Sequence, residues 1–317
     1  MLRACGVICV LVVLALPTAA GADAPVLTAV TGPGAKGMTI VGPDGKPFTH
    51  LDPGTYTINV SDTSETRDFS LRGPGVSLHT GFMETGDQTW TATFTTGWYR
   101  YYDAAFETDI HGQFTVGTPP PPTLTARIGI GFITFRHSDG SPVKRLDPGT
   151  YSIAVHDSTS GDGFHLMGPG VEEHTQVNPT VDYIWTVTFG DGRYSFYRER
   201  DPAKGGSFVV GAAPPLSKRK LLHAVTGPDF SITVVDANWR PVTRLVAGTY
   251  TLSVVDTGSD HNFHLSGPRI DLATTVPFVG TKTWTIRLRA GSYSYRCDPH
   301  SIMFGSFAVK AAKKPRH

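Results

Sequence analysis

The stretch Leu51-Asp-Pro-Gly-Thr-Tyr56 recurs as Leu146-Asp-Pro-Gly-Thr-Tyr151 and again as Leu245-Val-Ala-Gly-Thr-Tyr250. The three copies are offset by 95 and 99 residues. The same offsets relate a Phe-x-Leu-x-Gly-Pro block, a tryptophan and a tyrosine, which lie at Phe69, Phe164 and Phe263, at Trp90, Trp185 and Trp284, and at Tyr99, Tyr194 and Tyr293. Four landmarks in one register indicate a tandem triplication, so the chain contains three copies of one domain.

Each copy alternates apolar and small polar residues over short stretches, as in Thr249-Tyr-Thr-Leu-Ser-Val-Val255. A period of two with many β-branched and aromatic residues is typical of strands that bury one face. Gly-Pro, Pro-Gly and Asp-Gly pairs interrupt these stretches at turn spacing. About 90 residues of short strands per copy predict an all-β protein of three tandem Greek-key β-sandwich domains.

The joints between the copies differ from the copies in composition. Thr118-Pro-Pro-Pro-Pro-Thr123 favours an extended spacer, and the second joint contains Pro214-Pro215 and Lys218-Arg-Lys220. The predicted order is a first domain at 23–117, a linker at 118–123, a second domain at 124–211, a linker at 212–220, a third domain at 221–310 and a basic tail at 311–317.

The N-terminal residues have the order of a secretory signal peptide. Arg3 precedes an apolar run from Val7 to Leu16, and Pro17 and small residues follow through Ala22. We therefore predict a signal peptide at 1–22 and an exported protein in the periplasm, on the cell surface or outside the cell. The run is short for a bilayer span, and we expect no membrane span after cleavage, with an uncleaved N-terminal anchor as the alternative.

Cysteine usage and charge narrow the function classes. Cleavage removes Cys5 and Cys9 and leaves Cys297 as the single cysteine, so no intramolecular disulfide can form. A lone cysteine in an exported protein indicates intermolecular pairing, a reactive thiol or a metal thiolate. The net charge of +1 argues against a nucleic-acid partner, because such domains usually carry a strong basic excess.

The third copy contains a compact set of metal-binding residue types. Cys297-Asp-Pro-His300-Ser-Ile-Met303 places a thiol, an imidazole and a thioether within seven residues, and His261 and His264 lie upstream. A type 1 copper site needs two imidazoles and a thiolate in a trigonal plane with a weak axial thioether. Zinc is the other metal to consider, but a thioether is a poor zinc ligand and a closed zinc site favours more cysteines or histidines.

These motifs resemble those of the cupredoxins, the blue type 1 copper proteins. The Cys-x-x-His-x-x-Met loop with an upstream His-Asn-aromatic-His stretch is most similar to the short-loop, amicyanin and plastocyanin-like type. The resemblance in fold covers all three domains, and the resemblance in metal motif covers only the third. It implies one type 1 copper ion per chain, held by His261, Cys297, His300 and Met303.

The repeats help to choose between the two upstream histidines. The positions of His261, Cys297 and His300 correspond to Arg67, Asp103 and Phe106 in the first copy and to Asp162, Arg198 and Asp201 in the second. The second copy nevertheless keeps His165 at the position of His264, so His264 is explained without copper. We predict that His261 is the ligand and that the first two domains lack this copper site. Their other histidines are expected to be scattered on the surface: His79, His111, His156 and His174.

Electron transfer is the expected function, because a copper ion with three strong ligands and a weak fourth changes oxidation state with little rearrangement. A redox partner protein would dock near His300, where Pro299, Ile302 and Phe304 could form an apolar collar. Copper storage or delivery without redox chemistry, and an extracellular binding or scaffold role, are the alternatives.

An enzyme is not expected. Three cupredoxin domains resemble copper oxidases and nitrite reductases, but their second copper centre needs histidines beside the cysteine and in His-x-His pairs. Here Cys297 lies between Arg296 and Asp298, and the chain contains no His-x-His pair.

Overall fold

A computed structural model describes residues 24–32, 37–81, 84–104, 111–176, 180–227 and 229–312. The predicted signal peptide at 1–22 and most of the basic tail lie outside these residues. No helix among the described residues is long and apolar enough to span a membrane.

The described residues form 27 strands, nine in each repeat. The first repeat contains β1 (Val26–Thr31), β2 (Thr39–Val41), β3 (His50–Leu51), β4 (Gly54–Asp62), β5 (Ser70–Gly73), β6 (Val76–His79), β7 (Gly86–Phe94), β8 (Gly97–Tyr102) and β9 (His111–Val116). The second contains β10 (Leu124–Gly129), β11 (Phe132–His137), β12 (Arg145–Leu146), β13 (Gly149–Ser158), β14 (Phe164–Gly168), β15 (Val171–His174), β16 (Thr180–Phe189), β17 (Gly192–Arg198) and β18 (Gly205–Val210). The third contains β19 (Leu221–Thr226), β20 (Ile232–Asp236), β21 (Arg244–Val246), β22 (Gly248–Asp256), β23 (His264–Gly267), β24 (Ile270–Ala273), β25 (Gly280–Leu288), β26 (Gly291–Arg296) and β27 (Phe304–Lys310).

Each repeat is a sandwich of a four-stranded and a five-stranded sheet with the same strand order. In the third repeat the orders are β20-β19-β22-β25 and β21-β27-β26-β23-β24. The pairs β19 with β22 and β21 with β27 are parallel, and the other pairs are antiparallel. Three hydrophobic cores, one per repeat, lie between the paired sheets. The prediction of three tandem β-sandwich domains is confirmed, whereas the domain boundaries stay a prediction.

The period of two directs side chains into these cores. Along β22, Tyr250, Leu252, Val254 and Asp256 are buried in alternation with more exposed residues. The buried Asp256 carboxylate accepts a hydrogen bond from the Thr274 hydroxyl at 3.1 Å, and that hydroxyl oxygen accepts the backbone N–H of the next core aromatic residue. The equivalent aspartates and threonines form the same bonds in the other repeats: Asp62 with Thr80 and Asp157 with Thr175. The motif therefore fixes the turn before the fifth strand of every repeat.

The landmark tyrosines are buried, and each hydroxyl reaches back to a backbone group four residues earlier. The contacts are Tyr99 with Thr95, Tyr194 with Gly190 and Tyr293 with Arg289. Such a tyrosine corner is typical of Greek-key sandwiches, because it ties one strand to the loop that precedes it. With exposures of 1% or less, these tyrosines belong to the hydrophobic cores.

The three domains also contact one another. The first contacts the second through Arg100, whose guanidinium lies 3.1 Å from Glu173 and against the rings of Tyr183 and Trp185. The second contacts the third through an apolar cluster of Met167, Tyr197 and Val235, against which Val225 and Trp239 pack. The linker at 212–220 is held to both neighbours, because Ala212 and Ser217 donate backbone N–H bonds to Asp191 and Asn238.

A buried ionic cluster lies where all three domains meet, and we call it the three-domain junction. Arg72 of the first domain lies 2.5 Å from Asp229 of the third, and it donates a 3.1 Å hydrogen bond to the carbonyl of Glu172 in the second. Tyr102 donates a 2.7 Å hydrogen bond to the same Asp229 carboxylate. The side chains of Arg72 and Asp229 are only 8% and 2% exposed, so their charges depend on each other for stabilisation.

Candidate metal centre

Two neighbouring strands bring the predicted ligands to one end of the third domain. β23 pairs with β26 in antiparallel register, with His264 opposite Arg296. Because His261 precedes β23 and Cys297 follows β26, both residues lie at the same end of the sandwich. The loop between β26 and β27 carries His300 and Met303 back over that end. Residues far apart in the sequence therefore reach one place.

Three donor atoms converge there. Cys297 Sγ lies 3.7 Å from His261 Nδ1 and 3.5 Å from His300 Nδ1, and the two nitrogens are 2.9 Å apart. Among the described residues, this is the single group of three or more His, Cys, Asp or Glu side chains with donor atoms close enough to hold one metal ion. His261 and Cys297 are each 1% exposed, and His300 is half-buried.

The spacing fits a first-row metal ion. Bonds of about 2.3 Å to sulfur and about 2.0 Å to nitrogen, at angles of about 110–120°, place sulfur and nitrogen roughly 3.5 to 3.7 Å apart. Both observed sulfur–nitrogen distances lie in that range. The same geometry separates the nitrogens by roughly 3.3 to 3.5 Å, so the two imidazoles would move apart by about half an ångström around an ion.

The surroundings set the protonation of these groups. Burial raises the pKa of the Cys297 thiol, so the binding of a metal ion at neutral pH would release its proton. Burial and the neighbouring His261 lower the pKa of His300 to about 4. The His300 imidazole is therefore neutral at pH 7, which is the form that binds a metal.

Hydrogen bonds hold the two ligand segments together. The Asn262 side chain accepts the Asp298 backbone N–H at 2.7 Å and donates to the Asp298 carboxylate at 2.9 Å. Within the second segment, the Met303 N–H donates to the His300 carbonyl, and the Cys297 N–H donates to the Met303 carbonyl, both at 3.0 Å. Met303 is 1% exposed and packs in the same core as Cys297. The ligand loop is thus closed by its own backbone.

His264 lies outside the group of donor atoms. Its Nε2 lies 2.6 Å from Asp271, and its Nδ1 lies 2.9 Å from Asp298. Both nitrogens therefore face carboxylates, which together raise the pKa of His264. The structure brings His261, Cys297 and His300 together. His264 lies at the start of β23 and is not part of this group.

Ion pairs occupy the corresponding places in the other two domains. Arg67 and Asp103, at the positions of His261 and Cys297, lie 3.1 Å apart in the first domain. Asp162 and Arg198 occupy the same positions in the second and lie 2.7 Å apart, with the charges exchanged. In each of these domains a salt bridge thus joins the two positions that hold the imidazole and the thiol in the third domain, and the positive and negative residues are interchanged between the two domains. Phe106, at the position of His300, lies outside the described residues.

The expectation that the remaining histidines are scattered on the surface is wrong for two of them. His174 is 5% exposed and lies 3.1 Å from Glu172 at the three-domain junction. His79 has a side chain only 17% exposed and contacts Asp260 of the third domain. Each of them faces a carboxylate of the third domain, since His174 Nε2 also lies 3.9 Å from Asp229. His156 is partly exposed and paired with Asp182, and the side chain of His111 lies outside the described part of the chain.

Two neighbours of the centre could not be inferred from the motif. Phe230 packs edge-on against His300, with ring centres 5.0 Å apart, and it also contacts His261. Asp260 Oδ1 lies 3.5 Å from His261 Nε2, the nitrogen that faces away from the donor group. The sequence places Asp260 beside a ligand, but nothing in it indicates the direction of the carboxylate.

No protein-family model matches the chain, and no curated protein matches it. Solved structures similar to it include a laccase from Pediococcus acidilactici, 12% identical, covering 90% of this chain and 89% of that chain with a TM-score of 0.25. A Cu-containing nitrite reductase from Thermus scotoductus is 12% identical, with coverages of 92% and 99% and a TM-score of 0.21. The multicopper oxidase McoA from Aquifex aeolicus is 11% identical, with coverages of 91% and 96% and a TM-score of 0.25.

These neighbours require one correction. Their descriptions name a laccase, a nitrite reductase and an oxidase, all of them enzymes, so the expectation that the chain is not an enzyme is contradicted and we withdraw it. The fold of three β-sandwich domains stands, because it rests on the strand order of the three repeats. The narrower resemblance to the short-loop type is carried by the loop sequence alone.

Proposed function

We propose that the third domain binds one copper ion as a type 1 centre through His261 Nδ1, His300 Nδ1, Cys297 Sγ and the thioether of Met303. The observation that carries this proposal is the convergence of a thiol and two imidazole nitrogens at 3.5 and 3.7 Å. A set of one soft thiolate and two imidazoles suits both oxidation states of copper. The chemistry supplied by such an ion is the uptake and release of one electron.

Electron transfer is the function that this environment supports best. The ligand segments are fixed by the Asn262 and Asp298 side chains and by backbone bonds within the loop, so a change of oxidation state needs little movement. His261 and Cys297 are shielded from water, and His300 lies at the domain surface. The short-loop cupredoxin type and a location outside the cytoplasm belong to the same proposal.

Electrons would enter or leave through the exposed edge of His300. Ile302, two residues along the chain, is 54% exposed, and Pro299 lines a cleft together with His300. Phe304 is 60% exposed, but Arg200 of the second domain lies over its ring, so Phe304 belongs to the contact between domains. A redox partner would therefore dock on Pro299 and Ile302.

Copper titration tests the metal centre. Cu(II) added to the protein should give an intense thiolate-to-copper absorption, a type 1 paramagnetic resonance spectrum and one copper per chain. Cys297→Ser should lose the absorption, and His264→Gln should keep it. A colourless protein, or one that binds zinc with the same residues and equal stoichiometry, would overturn the assignment.

Electron exchange is tested separately from copper binding. Small redox proteins should bleach and restore the colour rapidly, and Ile302→Lys should slow this exchange. Val246→Lys is the matched control, because Val246 is 51% exposed and lies beside Lys310, at the opposite end of β27 from Phe304. An exchange rate unchanged in Ile302→Lys would refute the docking surface. A coloured protein that no redox protein bleaches would indicate copper storage instead.

A further inference from the structure

The copper domain does not form the surroundings of its candidate metal centre alone. His79, at the end of β6 in the first domain, has its Nε2 3.4 Å from Asp260 Oδ1 in the third domain. The same carboxylate oxygen lies 3.5 Å from Nε2 of His261. A continuous contact thus runs from His79 through Asp260 to His261, whose other nitrogen points at Cys297 and His300.

The three side chains are partly or fully removed from water. Their exposures are 17% for His79, 20% for Asp260 and 1% for His261. A cleft of about 600 Å³ between the first and third domains opens beside them, lined by His79, Asp260, Pro299 and His300 among others. The contact therefore lies at the wall of the cleft that is also lined by the half-buried ligand His300.

The contact between Asp260 and His261 matches the usual surroundings of a histidine that binds a metal. A histidine that binds a metal through one nitrogen usually offers its other N–H to a carboxylate or carbonyl, which fixes the tautomer and the ring orientation. For His261 the group in that direction is Asp260, and Asp260 is itself held by His79. A carboxylate without a second partner would be free to turn into the cleft.

We propose that His79 of the first domain is a positioning residue for the copper centre of the third domain, which it serves by holding Asp260 against the ligand His261. This inference rests on the proposed function and extends it, because it assigns the first domain a part in the metal site. The centre is then complete only when the first and third domains are docked.

The test compares copper affinities, measured by competition with a chromophoric chelator, in the full chain. His79→Leu should weaken copper binding about tenfold and alter the thiolate-to-copper absorption and the copper hyperfine splitting, since loss of such an outer partner costs 10–100-fold in affinity. His79→Gln keeps an N–H donor and should retain most of the wild-type affinity. His50→Leu is the control, because His50 is an exposed histidine of the same domain that bonds only to its neighbour Thr115 among the described residues.

Asp260→Asn provides the second arm. If His79 acts through Asp260, the double variant His79→Leu/Asp260→Asn should bind copper no more weakly than Asp260→Asn alone. Additive losses would overturn the proposed connection. The unfolding midpoint of each metal-free variant is measured alongside, and a His79→Leu variant with wild-type affinity and spectrum refutes the inference whatever its stability.

Failure of this inference differs from failure of the proposed function. If the wild-type chain shows no thiolate-to-copper absorption, the metal assignment itself is wrong. If the wild type is coloured and His79→Leu matches it in affinity and spectrum, the copper site stands and the role of His79 falls.

Discussion

Replacement of Arg72 by methionine should destabilise the protein strongly, because it removes the nearest counter-charge of the buried Asp229. Arg72 lies 2.5 Å from Asp229, and both side chains are less than a tenth exposed. Methionine is the residue at the equivalent position in the second domain, Met167, so the change is tolerable in shape. Breaking a buried pair from one side typically costs about 3–5 kcal/mol.

A second argument limits this cost. Burial opposes the charge on Asp229, but Arg72 and His174 outweigh burial and keep its pKa below the ordinary value. Without Arg72 the carboxylate can take up a proton instead of remaining charged. At pH 7 that proton costs about 1.36 kcal/mol for each of roughly three pH units above the usual aspartate pKa, or about 4 kcal/mol. The two arguments agree on a loss of about 3–4 kcal/mol.

Urea unfolding followed by tryptophan fluorescence measures this loss. The penalty should be smaller at pH 5, where protonation of Asp229 costs only about 1.5 kcal/mol. The double variant Arg72→Met/Asp229→Asn should recover most of the stability, and Arg127→Met, at an exposed position of β10, should change it by less than about 0.5 kcal/mol. A loss below about 1 kcal/mol at pH 7, or one equal at both pH values, would refute the reasoning.

Three further predictions concern other parts of the molecule. Met303→Leu should keep the copper colour and raise the reduction potential, because the loss of a weak donor disfavours Cu(II). Voltammetry measures the potential, and an unchanged value would show that Met303 is not a ligand. Burial alone would lower the pKa of His165, but Glu199 and Glu172 outweigh it and raise that pKa to about 9. The unfolded chain releases this proton near pH 6.5, so the stability it contributes is complete below that pH and is lost as pH rises through 9. The melting temperature should therefore fall between pH 7 and 9.5, and the melting temperature of His165→Asn should fall less over the same range. Equal pH dependence in the two proteins would contradict the raised pKa of His165. Tyr293→Phe should cost about 1–2 kcal/mol in thermal unfolding, because its hydroxyl bonds to the Arg289 backbone, and a neutral effect would show that water replaces the bond.

Much of the fold is predictable because the repeats report on one another. A single copy of the Leu-x-x-Gly-Thr-Tyr stretch is an ordinary turn and strand, but three copies at fixed offsets define the unit and its landmarks. The buried Asp256, with its bond to Thr274, was not predicted. A period of two places a side chain on the core face without indicating that a carboxylate there will find a hydroxyl from another strand.

The ligand set could be predicted from the sequence for a similar reason. Cys297, His300 and Met303 are local to one loop, and the other copies show that His264 can be explained without a metal. Contacts between domains could not be predicted from the sequence. His79 and Asp260 are 181 residues apart, and neither copy-to-copy alignment nor strand pattern says which domain surfaces meet. For this reason His79 and His174 were expected on the surface and are instead covered by neighbouring domains.

The three-domain junction also bears on the ancestry of the chain. A tandem triplication begins with interchangeable copies, and identical copies would bring identical charges to a common centre. Here the cation comes from the first copy, at Arg72, and the anions come from the others, at Glu172 and Asp229. Exchanging two domains along the chain would bring these charges together in the wrong combination. Differences at a few buried positions therefore make the three repeats non-equivalent and fix their order along the chain, with the repeat that carries Cys297 in the third position.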